Sequence, residues 1–150
     1  MGRHSQEDQE SMMERTAPVQ EGQHAPQAYR ILLVDDHTIT REVLRCIVEG
    51  YAELSVVGEA INGLEAVAMA ATNKPDVILM DVNMPWMNGI EATKHIKHAQ
   101  PATIVIGLSD NNSIQVRDLM IEAGADGFLP KEAAQDQLYP LIAALTYAAV

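Results

Sequence analysis

Five residues of types that do chemistry together stand where short aliphatic runs end. Asp35 and Asp36 follow residues 31–34, Asp81 follows residues 77–80, Ser109 follows residues 104–108, and Lys131 comes two residues after residues 127–129. Three carboxylates held within a few ångströms would repel by ~4 kcal/mol per close pair at an effective dielectric of ~20, so cations must join them. Lys131 supplies one charge and a divalent ion the rest. Hard oxygen ligands with no thiolate or imidazole required point to Mg2+, which takes one or two carboxylates and keeps several waters. An Asp beside Mg2+ and Lys is arranged to accept a phosphoryl group, because a carboxylate acts as a nucleophile once the incoming anionic charge is neutralised. The Ser109 hydroxyl would donate a hydrogen bond to one phosphoryl oxygen while Lys131 pairs with another.

The elements that must position these groups alternate. Residues 31–34, 54–57, 77–80, 104–108 and 127–129 read as strands buried on both faces. Between them lie helical spacings: Ile39, Val43, Cys46 and Ile47; Leu64, Val67, Ala68 and Ala71; a weaker third helix over about 88–99; Val116, Leu119, Met120 and Ala123; and Leu138, Leu141, Ile142 and Leu145. Five strand-and-helix pairs predict an α/β, doubly wound parallel sheet. Right-handed crossovers put the carboxyl end of each strand on one edge, where ligands of such sheets bind, and that brings the five residues together.

The chain's 150 residues, 47% apolar, 21% charged and 4% aromatic, suit one aliphatic core and exclude a collagen-like or wholly disordered chain. Residues 1–28, rich in Gln, Glu, His and Pro, read as a disordered tail, and residues 29–150 as the folded domain. A formal charge of −11 argues against direct nucleic-acid binding by this chain. No membrane span or secretory leader is expected, and the single Cys46 forms no internal disulfide, so a cytoplasmic protein is the plain reading.

ILLVDDHTITR, VILMDVNMPWMNGIEA, IVIGLSD and GADGFLPKE, in this order and spacing, resemble the signature segments of the response-regulator receiver domain of two-component systems. DDH and LPKE look most like its NarL/FixJ branch. The resemblance implies a flavodoxin-like (βα)5 fold with strand order 2-1-3-4-5. It makes Asp81 the phosphoacceptor and Asp35 and Asp36 the acidic pair that holds Mg2+ together with Asp81 and the backbone carbonyl of Asn83. Ser109 becomes the hydroxyl residue that moves toward the phosphoryl group, Phe128 the aromatic whose rotamer reports the switch, and Lys131 the family's lysine. The implied activity is a phosphorelay switch that catalyses its own phosphorylation and dephosphorylation and is not otherwise an enzyme. A histidine kinase or phosphotransfer protein is the implied donor, with a homodimer as a further partner reading.

Four positions depart from the family pattern. Trp86 stands where its loop usually carries Gly, as a tolerated substitution or a partner contact. Asp110 adds a carboxylate after Ser109, read as outward and solvated. Glu132 replaces the Pro that often follows the lysine, and Pro140 inside the last helix would kink it or delay its start. His37 reads as a loop or helix-entry residue in preference to a metal ligand or base and is assigned no role, His95 and His98 as solvated surface, Cys46 as core, and Met84 and Met87 as packing the loop on the sheet. Competing readings are weaker. A phosphatase with an aspartyl-phosphate intermediate would want a second acid two residues after Asp81, where Asn83 stands. An FMN binder would want a phosphate-cradling loop where Asp35 and Asp36 stand. A pseudo-receiver acting by contacts alone, and the receiver half of a DNA-binding transcriptional regulator, stay open.

Overall fold

The computed structural model describes residues 28–110 and 113–149; apart from Ala28, the expected tail over residues 1–28 lies outside the described residues. The chain runs β1 (Tyr29–Val34), α1 (Thr38–Glu49), β2 (Leu54–Ala60), α2 (Gly63–Asn73), β3 (Val77–Asp81), α3 (Gly89–Ala99), β4 (Ile104–Ser109), α4 (Ile114–Glu122), β5 (Gly127–Pro130), a 3-10 turn (Lys131–Ala133) and α5 (Ala134–Ala149). All five strands are parallel in the order β2-β1-β3-β4-β5, as expected.

The continuous aliphatic runs form strands because both faces of the sheet are covered. Leu33, Leu79, Ile106 and Leu129 pack on one face with Leu44, Ile47 and Val48 of α1 and Leu138 and Ile142 of α5. Leu32, Ile78, Met80 and Val105 pack on the other with Ala66 and Ala70 of α2, Ala92 and Ile96 of α3 and Met120 of α4. All six residues of β4 and all five of β3 are buried, so the central strands cannot shift register without exposing apolar surface.

Two helices turn a different face to the sheet than their spacing suggested. On α1 the core stripe is Leu44, Ile47 and Val48, whereas Ile39 and Val43 are exposed, as is Cys46, which is therefore not a core residue. On α2 the buried positions are Gly63, Ala66 and Ala70, and Leu64 is exposed. In α5, helix is continuous through Pro140, which lies on an exposed face; the forfeited bond to the Asp136 carbonyl does not end the helix or delay its start.

The same tetrad starts α2 and α3. In Asn62-Gly63-Leu64-Glu65 and Asn88-Gly89-Ile90-Glu91 the Asn side chain accepts the Glu backbone N–H at 2.8 and 2.9 Å, closing an orphan donor of the first turn. The intervening glycines permit close approach. A Cβ at Gly63 would strike the Met87 carbonyl, and one at Gly89 would strike the Asp81 carbonyl. The β3–α3 loop is held by Gly89 N–H on Val82 O at 2.8 Å and Gly63 N–H on Met87 O at 2.9 Å.

Between those anchors the loop makes a γ-turn, Met87 N–H on Pro85 O at 2.8 Å, with Trp86 at its centre at φ 71°. This positive-φ turn is rare and strained for a residue with a side chain. The ring is 83% exposed and recovers little of the strain through packing. Relief of the ~1–2 kcal/mol left-handed penalty, less the freedom glycine adds to the unfolded chain, leaves Trp86→Gly more stable by about 0.5–1 kcal/mol. Urea unfolding checks this; an unchanged or lower midpoint would show that the indole makes contacts that offset the strain.

Candidate functional site

Strand register sets the spacing of the acidic groups. Val34 of β1 pairs with Met80 of β3, so Asp35 and Asp81 emerge side by side. Asp81 pairs with Leu108, placing Ser109 one residue beyond it, and Ser109 pairs with Pro130, placing Lys131 one residue beyond that. The five expected residues, Asp36 among them, thus meet at the carboxyl edge.

Asp35, Asp81 and Ser109 are buried, and Asp36 is partly exposed. The Lys131 ammonium lies 2.7 Å from Asp35 Oδ2 and 3.1 Å from Asp81 Oδ1. Asp110 Oδ2 is 3.9 Å from the same nitrogen, but its side chain is 77% exposed, matching the solvated reading. Lys131 opens the 3-10 turn before α5, and its side chain lies mostly buried across the strand ends.

One lysine does not balance three carboxylates. Burial, then the negative charge of Asp35, pushes the Asp81 carboxyl up to about 7, against the opposing effects of Lys131 and the Asn83 backbone amide. For Lys131, burial disfavours the ammonium, but its hydrogen bond to Asp35 and the charge of Asp81 outweigh that and hold its pKa above the ordinary lysine value.

The pocket is chemically fitted to a cation. Asp36 Oδ1 and Asp81 Oδ2 are buried oxygens that accept no hydrogen bond. One ligand atom from each of Asp35, Asp36, His37 and Asp81 can be chosen so that all lie within 4.8 Å of one another. Hard oxygens with unused lone pairs suit Mg2+. Asn83 itself is exposed in the loop directly after Asp81.

Phe128 is half-buried, packed against the α3–α4 side of the sheet and paired with Gly107. A Cβ on Gly107 would come within 3.0 Å of the Phe128 ring and 2.7 Å of Met120, so this glycine makes room for both. Met84 and Met87 pack against the same core, as expected, and His95 and His98 are exposed on α3.

Three contributors escaped the sequence reading. Arg41 donates from Nη1 to the Asp35 backbone carbonyl at 2.8 Å and from Nε to Glu59 Oε1 at 2.7 Å, tying α1 and β2 to the acidic turn. Its signal was a basic residue in the first turn of the helix that follows an acidic pair. Gly89 admits α3 to the Asp81 backbone, and the repeated Asn-Gly-x-Glu tetrad could have pointed to it. His37 is the N-cap of α1, its carbonyl accepting the Arg41 N–H at 3.1 Å; its own N–H donates to Asp35 Oδ1 at 2.8 Å, and its Nδ1 is 3.3 Å from Asp35 Oδ1 and from Asp36 Oδ1.

The raised Asp81 has a consequence for stability. Its folded value of about 7 exceeds the ordinary 3.8, so the unfolded chain releases this proton first. The carboxyl therefore destabilises the metal-free fold progressively as pH rises from about 4 to about 7, and by a constant amount above that. Asp81→Asn should stabilise the protein by about 1–3 kcal/mol at pH 8 in chelator and have little effect near pH 4. Denaturant unfolding at the two pH values checks it, and an equal effect at both would contradict the burial-and-repulsion account.

Residues 31–143 match the family described as response regulator receiver domain. Transcriptional regulatory protein YdfI of Bacillus subtilis is 40% identical over 110 residues, 73% of this chain and 51% of that protein. Response regulator UvrY of Escherichia coli is 38% identical over 112 residues, 75% of this chain and 51% of that protein. Thus the chain spans about half the length of these curated relatives. The response regulator domain of Thermotoga maritima CheB superposes with a TM-score of 0.73 at 35% identity, covering 82% of this chain and 97% of that one. The receiver domain of the putative response regulator NarL from Mycobacterium tuberculosis gives 0.76 at 26% identity, covering 81% and 98%. With one fold, one strand order and a family match over most of its length, this chain belongs to the response regulator receiver domain family.

Proposed function

We propose that this chain is a phosphoryl-accepting signalling switch in which Asp81 is the modified residue. The carrying observation is the Asp81 carboxylate: buried at the end of β3, with one oxygen 3.1 Å from the Lys131 ammonium and the other accepting no hydrogen bond. Such an oxygen keeps its lone pairs for an electrophile.

In the proposed reaction the Asp81 carboxylate forms an O–P bond as the P–N bond of a phosphohistidine on a kinase or phosphotransfer protein breaks, and the electron pair leaves with the imidazole. Hydrolysis later returns the carboxylate and inorganic phosphate. Mg2+ held by Asp35, Asp36, Asp81 and the Asn83 carbonyl would supply positive charge against the phosphoryl oxygens. Lys131 would exchange part of its pairing with Asp81 for a phosphoryl oxygen, and Ser109 would donate a hydrogen bond to another. Movement of Ser109 would change the rotamer of the half-buried Phe128, carrying the change to the α4–β5–α5 face, where a homodimer would also form.

The donor is proposed to dock on α1, because Ile39 and Val43 form an apolar stripe 74% and 50% exposed near the acidic turn. No helix among the described residues is long and apolar enough to cross a membrane, consistent with a cytoplasmic switch. Relatives of this module include proteins named as transcriptional regulators and one named protein-glutamate methylesterase/protein-glutamine glutaminase 2, so the resemblance supports the switch and leaves its output open. The net charge of −11 favours an output through protein contacts over direct nucleic-acid binding by this chain. A pseudo-receiver has less support, since Asp110, whose added carboxylate would oppose phosphoryl binding if it lay in the pocket, is 77% exposed and comes no nearer than 3.9 Å to the Lys131 ammonium.

Intact-mass measurement after incubation with a small phosphoramidate tests the reading. The unaltered chain should gain the ~80 Da of one phosphoryl group only with Mg2+ present, and Asp81→Asn should gain nothing. Full uptake by Asp81→Asn would overturn the assignment.

A further inference from the structure

His37 is the one residue of the acidic turn that the proposed switch does not use. It is held firmly: its backbone caps α1 in extended conformation, its N–H donates to Asp35 Oδ1 at 2.8 Å, and its carbonyl accepts the Arg41 N–H at 3.1 Å. The ring is turned back toward the carboxylates and not out along the helix, leaving Nδ1 3.3 Å from Asp35 Oδ1 and 3.3 Å from Asp36 Oδ1.

Those two separations are ligand spacings. For metal–ligand bonds of ~2.1 Å, neighbouring donors sit ~3.0 Å apart in an octahedron and ~3.4 Å apart in a tetrahedron. Nδ1 therefore stands at the distance of a third donor from each of two carboxylate oxygens. Asp35 Oδ1 accepts the His37 N–H and is also hydrogen-bonded to Nδ1 at 3.3 Å; a bound ion would take the place of that second bond, with the deprotonated Nδ1 as its ligand. Asp36 Oδ1 and Asp81 Oδ2 are buried and accept no hydrogen bond, an independent sign that the pocket is built around a cation.

We infer that His37 completes a mixed nitrogen and oxygen ligand set with Asp35 and Asp36, so that this pocket takes late first-row divalent ions, Ni2+ and its neighbours, in competition with Mg2+ and through a nitrogen ligand that Mg2+ does not need. The inference rests on the proposed cation site and names its ion selectivity. Mg2+ is hard and gains little from an imidazole, whereas Ni2+ bonds imidazole well and stands near the top of the affinity order for mixed sites. His37 then works as a selector: with it, ions other than Mg2+ compete for the phosphoacceptor pocket at lower concentrations.

Calorimetric titration of Mg2+ and Ni2+ into the unaltered chain, His37→Ala and a His95→Ala/His98→Ala control tests this, with Ni2+ titrated with and without saturating Mg2+. The Mg2+-displaceable fraction reports the acidic pocket; what survives Mg2+ reports remote imidazoles such as His95 and His98. The expected result is a loss of about tenfold in Mg2+-displaceable Ni2+ affinity in His37→Ala, with Mg2+ affinity changed less than twofold and the control unchanged. Ni2+ affinity unaltered in His37→Ala, or Mg2+ and Ni2+ weakened equally, would overturn the inference while leaving the cation site standing. Failure of the unaltered chain to bind Mg2+ at all would remove the proposed cation site and the inference with it.

Discussion

The Lys131 ammonium, wedged 2.7 Å from Asp35 and 3.1 Å from Asp81, is the interaction on which the rest depends. Without it the sheet would end in buried like charges, each close pair costing several kcal/mol. With it the charge is still unbalanced, because Asp35, Asp36 and Asp81 face one lysine. The fold keeps this deficit because the strands that carry the carboxylates are locked by aliphatic layers on both faces. The result is a rigid scaffold ending in a cluster with standing affinity for positive charge, which is the condition an acceptor of phosphoryl groups requires.

Around that cluster, backbone contacts set the geometry more than side chains do. Gly89 lets the start of α3 press on the Asp81 carbonyl, and Gly63 lets α2 hold Met87. The loop after Asp81 is thus fixed at both ends, and its strain is concentrated at Trp86. Arg41 does the same for the other wall, bridging Asp35 to Glu59 so that α1, β1 and β2 move together.

Much of this was legible in the residue order. Continuous aliphatic runs have few fates other than central parallel strands, and parallel strands deliver their ends to one edge, so Asp35, Asp36, Asp81, Ser109 and Lys131 could be grouped before any geometry was known. Helix phase was less legible. On α1, Ile39, Val43 and Cys46 compete with Leu44, Ile47 and Val48 as two apolar stripes on one cylinder, and only the sheet's position selects the second. Pro140 looked disruptive because local rules treat a missing N–H as a break, whereas an exposed position within a well-packed helix tolerates it. His37 was passed over because a histidine after a strand carries no signal until its ring direction is known.

The most direct test of the central claim, that Asp81 is a buried acid with insufficient countercharge, is the titration of its side-chain carboxyl carbon by 13C NMR with and without Mg2+. The account gives a midpoint near 7 in chelator and a fall of at least two units when Mg2+ is added. A midpoint near 4 in both conditions would contradict it, showing that Lys131 alone satisfies the cluster.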